Sequence, residues 1–459
     1  MIARKRIGLV AALTAALAAS TVLSGPVSAE TLTEALAKAY STNPQLKSER
    51  AGLRATDEGV PQALSNWRPT VTVVGEAGTT RIDNNTSTSR REPRSAELEV
   101  SQPLYRGGRT QAETRRAEAD VAAGRAQLKS TEQQVLLSAV EAYMNVVSNL
   151  GVLDLARNNE QRLQRQLQAA RDRFRVGEIT RTDVSQAEAA VSGATAGRIR
   201  AEGALVNSRA TYRAVIGDSP GTLVTPKETL NLPANEAETQ SQAESRNPAI
   251  QRARYLVESA RHNVDLVHGE LLPSVALTGN ISTEEDTTTR GSEREAASLT
   301  ARLTVPLYQA GDVYSRLRAA KEIVSQRQED YDDARRTALQ NASLAWNTLE
   351  TARAQVVSLQ AQIRANEIAL EGVEREALVG SRTVLDVLDA EQALLDSRVS
   401  LIAAQRDEVI ARFALLGAVG TLTAQDLRLN VELYDPERNY RDVRDQWFGA
   451  DKPTTRTTP

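Results

Sequence analysis

Hydrophobic positions along this chain switch between two periods, and the switches mark out its architecture. From Thr31 to about Ser65 the apolar residues Leu32, Leu36, Ala39 and Tyr40 fall at helical spacing. Thr31-Leu32-Thr33-Glu34 opens that stretch as a capping box, and Asn43-Pro44 predicts an early break in it. After Trp67-Arg68-Pro69 the period drops to two, predicting a strand over about 69–81. A loop from Asp83 to Arg94, rich in Asn, Thr, Ser and Arg, leads to a second strand over about 94–104. There Ala96, Leu98 and Val100 alternate with Ser95, Glu97, Glu99 and Ser101 until Pro103-Leu104-Tyr105-Arg106-Gly107-Gly108 ends the run. Residues 109–176 then hold no proline and few glycines and are dominated by Ala, Arg, Gln, Glu and Leu. As one helix they span roughly 100 Å, a length that must pack along other helices to be stable. Val176-Gly177-Glu178 turns the chain, and a helix over about 180–216 returns.

The chain then repeats itself. Asn43-Pro44 recurs as Asn247-Pro248, and Pro103-Leu104-Tyr105 with Gly108 recurs as Pro306-Leu307-Tyr308 with Gly311. Val176-Gly177 recurs as Val379-Gly380, Asp183-Val184 as Asp386-Val387, and Ala187-Glu188 as Ala390-Glu391, all 203 residues on. This register predicts repeat 1 over 30–238 and repeat 2 over 239–420. Repeat 2 should hold strands at about 273–284 and 296–306 and helices at about 311–378 and 383–417. Segments 218–238 and 421–445 carry short mixed elements, and 446–459 reads as a disordered tail.

Composition narrows the class. Residues 1–29 carry Arg4-Lys5-Arg6, an apolar run from Ile7 to Ala19 and Val27-Ser28-Ala29, the layout of a cleaved secretory leader. No other run is apolar enough to predict a membrane-crossing helix. The formal charge of −3, which becomes more negative once the leader's three cations leave, disfavours nucleic acid as a partner. With no cysteine there is no disulfide, no thiolate chemistry and no lipid attachment at a processed N-terminus. Gly-rich phosphate loops, nucleophile elbows and base–nucleophile pairs are missing, so neither an enzyme nor a cofactor is expected. His262 and His268, six apart on a predicted helix, do not share a face, so no metal site is expected.

Four strands of membrane-crossing length, each with one apolar and one polar face, suit either a half-buried soluble sheet or a bilayer. In a bilayer open edges are forbidden, and four strands cannot close around a pore. Eight would leave room for side chains only, so a water-filled barrel needs at least three chains. A secreted coiled-coil scaffold or periplasmic adaptor is the alternative; it accounts for the helices but leaves the strands unexplained.

The duplicated layout, the two Pro-Leu-Tyr…Gly corners and Val379-Gly380-Ser381-Arg382-Thr383-Val384-Leu385-Asp386-Val387-Leu388-Asp389-Ala390 resemble the TolC family of outer-membrane efflux and secretion ducts. The resemblance covers essentially the whole mature chain. It implies a mixed, mainly α fold: a homotrimer with a joint twelve-stranded β-barrel in the outer membrane and a long α-helical barrel in the periplasm. It further implies a passive duct gated at its periplasmic end and opened when a periplasmic adaptor and an inner-membrane pump of RND, ABC or MFS type dock. The turns at Val176, Gly177, Val379 and Gly380 are the expected docking points. Under threefold symmetry Asp386 and Asp389 would form two carboxylate rings at the constriction, holding one another's pKa values up and attracting cations. Arg382 would pair with Asp183, where the family places an acidic partner, to lock the two hairpins; its own Asp386 is the competing partner. Where the best-known family member carries a tyrosine two residues before the turn, this chain has Ala377. Arg181 adds a charge at the first turn that the resemblance leaves unexplained.

Overall fold

The computed structural model describes residues 30–226 and 230–451. The expected leader lies outside the described residues, as do 452–459 of the expected tail. The chain begins with α1 (Leu32–Thr42), α2 (Pro44–Asp57) and α3 (Gly59–Ser65). The Thr31 capping box is present, and the side chain of Asn43 caps α2 at the predicted break.

Four strands form one antiparallel sheet: β1 (Thr70–Ala77), β4 (Arg94–Arg106), β5 (Ser274–Glu285) and β6 (Glu293–Thr304), in the order β1-β4-β5-β6. Strands of the two repeats therefore pair at the centre, and β1 and β6 stand at free edges. Register sorts the faces. Val71, Val100, Gly279 and Leu299 line up across the sheet, as do Val73, Leu98, Ile281 and Ala297. The opposite face aligns Thr72, Glu99, Asn280 and Ser298, and a one-residue slip would scramble both. Three expected boundaries move, the first being β1, which stops at Ala77 rather than at about 81. β6 stops at Thr304 because Pro306 has no N–H to give a ladder and β6 has a neighbour on one side only. The expected loop at 83–94 is largely a second hairpin, β2 (Thr80–Asn84) with β3 (Ser87–Arg91). It is built from threonines and arginines around a two-residue turn, so no apolar alternation announced it. Arg91 ties it to the β5–β6 loop by donating to the carbonyl oxygens of Thr287 (2.7 Å) and Thr288.

The helices repeat to the residue. α4 (Arg109–Arg175) and α8 (Asp312–Leu378) are 67 residues each, and the returning α5 (Arg181–Ile216) and α9 (Val384–Val419) are 36 each. Because the returning helix is about half as long, the strand-proximal half of each long helix is left for others. α1, α2 and α3 take that place along α4, and α6 (Glu236–Arg246) and α7 (Pro248–His268) take it along α8. One 18-residue window of α4 is apolar enough to cross a membrane, against the expectation, and half of it is buried in the protein. The apolarity serves a core: Leu136, Ala139, Val140, Tyr143 and Met144 pack with α1, Tyr212 and Ile216 of α5, and Phe413 and Leu416 of α9.

The inter-repeat and C-terminal segments close that core into a belt. Leu422, Ala424 and Leu429 are buried in it, and the Tyr143 hydroxyl sits between the carbonyls of Glu30 (2.8 Å) and Val224 (2.7 Å). α10 (Arg438–Val443) follows. Gln446 and Trp447, expected in the tail, instead pack on Arg68 at the foot of β1.

Candidate functional site: the paired hairpin tips

At each tip a long helix ends on a left-handed glycine, Gly177 (φ 83°) and Gly380 (φ 78°), and open space surrounds both. The positive φ, rather than crowding, is what calls for glycine there. The C-terminal bonds match: Glu178 N–H reaches Arg173 O at 3.0 Å, and Ser381 N–H reaches Glu376 O at 3.0 Å. Three residues after each glycine a threonine starts the return helix. Asp183 accepts from Thr180 N–H and hydroxyl at 2.8 Å each, and Asp386 accepts from Thr383 in the same way at the same distances. These donors, the backbone N–H foremost, hold both carboxyls below the usual range. The upward shift expected for Asp386 is therefore opposed by its own cap.

Arg382 and Asp183 are not joined within the chain. Arg382 Nε donates to Glu376 Oε2 at 2.9 Å, across its own turn, and that carboxylate raises its pKa, with Asp386 adding a weaker attraction. Asp386 and Asp389 lie one turn apart on α9, and among the described residues Asp389 has no ion pair. Arg181, like Asp389, has none. Val176 and Val379 are 72% and 80% exposed, so both turns present apolar tips. Ala377, where the best-known family member carries a tyrosine, packs into the seam of the α8–α9 hairpin beside Leu370, Val387 and Leu394. Of the two histidines, His262 lies 3.7 Å from Asp265 on its own helix, and no metal-holding cluster exists among the described residues.

Sequence reasoning missed the contact between the hairpins. Glu391 on α9 is buried, and its Oε1 accepts from Gln166 Nε2 of α4 at 3.0 Å while Oε2 has no partner. Burial pushes its pKa up, and Arg162 and Gln166 pull against that while Glu374 adds to it. Ala390-Glu391 was visible as a repeat landmark. What the sequence does not carry is that α9 packs on α4 whereas its counterpart Glu188 stays at the surface with Arg171 at 2.8 Å.

The sequence profile of the outer membrane efflux protein family matches residues 35–218 and 239–421, one match per repeat. The chain belongs to that family. It is 37% identical over 445 residues to the outer membrane efflux protein BepC of Brucella suis biovar 1, covering 96% of this chain and 97% of that protein. It is 29% identical over 424 residues to the outer membrane protein TolC of Vibrio cholerae serotype O1, covering 89% and 95%. The Campylobacter jejuni CmeC outer membrane channel shares the fold, with a TM-score of 0.77 at 16% identity over 90% of this chain and 89% of that one. As a member of the efflux family the chain is an outer-membrane duct of the kind that serves tripartite efflux or type I secretion, with its helices in the periplasm. The family is a channel family and not an enzyme family, and the scaffold or adaptor alternative falls.

Proposed function

We propose that three copies of this chain form one passive duct, with a joint twelve-stranded barrel and a helical barrel whose tips close the periplasmic end. The observation that carries this is the sheet. It has one apolar face left exposed (Val71, Val73, Leu299 and Leu303) and two unpaired edges, β1 and β6. In hydrocarbon those edges have to be satisfied, and pairing β6 of one copy with β1 of the next does so. The exposed apolar turns at Val176-Gly177 and Val379-Gly380 suit docking of a periplasmic adaptor, with an inner-membrane pump behind it. Asp386 and Asp389 would then ring the constriction. The Arg382–Asp183 lock is a contact between hairpins of neighbouring copies, for which Glu376 competes; opening hands Arg382 from one carboxylate to the other. An adaptor shifts that balance only by binding the open arrangement more tightly. Detergent-solubilised protein should have the mass of three chains and conduct when placed in a planar bilayer. A monomer that conducts overturns the proposal.

A further inference from the structure

The last described residues climb toward the membrane. Glu437 meets Arg125 of α4 at 3.2 Å, the Tyr440 hydroxyl reaches Glu118 at 3.3 Å, and Arg444 lies 3.6 Å from the same Glu118. Seven residues of helix separate Arg125 from Glu118, about 10 Å of rise, and α4 begins at the foot of the sheet about 14 Å further on. At that foot Arg68, two residues before β1, donates to Gln446 O at 2.6 Å and lays its guanidinium 4.7 Å from the centre of the Trp447 ring. Trp67 is held at the same level, its carbonyl accepting from Gln102 of β4 at 2.8 Å.

The chain thus delivers Trp447 and Phe448 to the boundary between strands and helices, and leaves them bare. Trp447 is 58% exposed, Phe448 87% and neighbouring Trp67 46%, with the Trp447 and Phe448 rings 6.5 Å apart. This chain is poor in aromatics, yet two of its three tryptophans and one of its three phenylalanines gather here. Exposed apolar rings cost free energy in water unless something covers them. Tryptophan, apolar but carrying one N–H, favours the level of lipid headgroups, and arginine beside it suits phosphate. The patch lies at the foot of β1, next to the sheet whose apolar face is proposed to meet lipid.

We propose that the C-terminal segment is an interfacial anchor whose Trp447 and Phe448 seat in the headgroup region of the periplasmic, phospholipid leaflet of the outer membrane, with Trp67 beside them. The anchor rests on the strands spanning that membrane. It holds the belt's C-terminal strap at a fixed depth, so the helical barrel is suspended from the lipid as well as from the barrel.

The test uses the full chain reconstituted in phosphatidylethanolamine–phosphatidylglycerol vesicles. Trp67→Phe with Trp346→Phe leaves Trp447 as the sole tryptophan. Its emission should shift to the blue on reconstitution, and lipids brominated near the headgroup should quench it more than lipids brominated at the chain end. Emission still open to aqueous iodide, or shielded equally in detergent and indifferent to bromine because a neighbouring subunit covers it, overturns the anchor. Because the chain has no cysteine, Phe448→Cys offers a second, independent probe with a spin label, which should meet oxygen more readily than a nickel chelate. Leu299→Cys on the outward face of β6 separates the two readings. Lipid contact at 299 without contact at 448 removes the anchor alone, whereas contact at neither removes the barrel as well.

Discussion

The two hairpins of this duct share a skeleton and differ in charge. Their helices match in length, their glycines sit at φ 83° and 78°, and their threonine caps have the same bonds at nearly the same distances. Over the sixteen residues around the α4–α5 turn, 171–186, four arginines face three acids; over the matching 374–389, two arginines face four acids. Arg171 and Arg173 are replaced by Glu374 and Glu376, and Gln186 by Asp389. The α4–α5 tip, taken as the outer one in the proposed duct, is slightly positive and the α8–α9 tip, taken as the inner one, is negative. Duplication kept what the backbone needs for the reversal and let the side chains that face outward become complementary. The tips can therefore attract one another without any change to how each is folded.

The sharpest way to break this comparison is to fix the two tips together. Asp183→Cys with Arg382→Cys introduces the chain's only thiols. The oxidised protein should fail to export and recover on reduction, while each single variant exports. Normal export by the oxidised protein would mean that the hairpins do not have to part at that point.

The inner tip's excess of acid should also be readable in current. Asp386→Ala with Asp389→Ala should relieve the block of conductance by multivalent cations added from the periplasmic side, and Asp183→Ala should not. Asp386 is held below the usual carboxylate range by its cap. Its charge is therefore kept as pH falls past about 4, and its share of the block is lost only below that. A double variant blocked as strongly as the parent would remove both residues from the constriction.

Much of this was legible beforehand, for identifiable reasons. Strand alternation, glycine turns and the Thr31 capping box are local, so Val71, Gly380 and Thr31 announce their roles within a few residues of chain. The β2–β3 hairpin escaped because Thr80–Arg91 buries nothing and leaves no alternation to read. Arg382's partner escaped because Glu376 lies across a turn whose bond pattern places it, and charge alone offered Asp183 and Asp386 equally well. The docking of Trp447 on Arg68 joins residues almost at opposite ends of the chain, which no window along the sequence can see.

Glu391 and Glu188 sharpen the comparison at smaller scale. They occupy equivalent positions, yet one is buried between α9 and α4 and the other is paired at the surface. Burial raises the Glu391 pKa, so the folded state holds its proton more tightly than the unfolded chain does. Stability from that proton is present at acid pH and is lost as pH rises from about 4.3 upward through the folded value. Glu391→Gln should therefore raise Tm by a few degrees at neutral pH, and should flatten its dependence on pH. Glu188→Gln gives up one exposed pair, worth about 0.2–1 kcal/mol, and should barely move it. Equal responses from the two would mean that the inner hairpin is not held against α4 through this side chain.

The smallest effect tests the claim that the skeletons are equivalent. Thr180→Ala and Thr383→Ala each remove the cap of a 36-residue return helix. With matching bonds, each should cost about 1 kcal/mol of stability, and the two losses should agree. Each substitution also takes the hydroxyl donor from its aspartate and leaves the backbone N–H, the larger of the two causes of the depressed pKa. The aspartate's contribution, present above the unfolded carboxylate value and lost as pH falls through the folded one, should shrink in both variants alike and keep the part that the backbone N–H supplies. Function should separate them. Held by the backbone N–H of residue 383 alone, the Asp386 side chain is less fixed, so if it lines the constriction as proposed, Thr383→Ala should alter cation block while Thr180→Ala leaves it unchanged. Thermal melts and bilayer recordings on the same two preparations decide the matter. Unequal melts would show that the skeletons differ after all, and equal effects on block would show that the inner tip's charge has no role of its own.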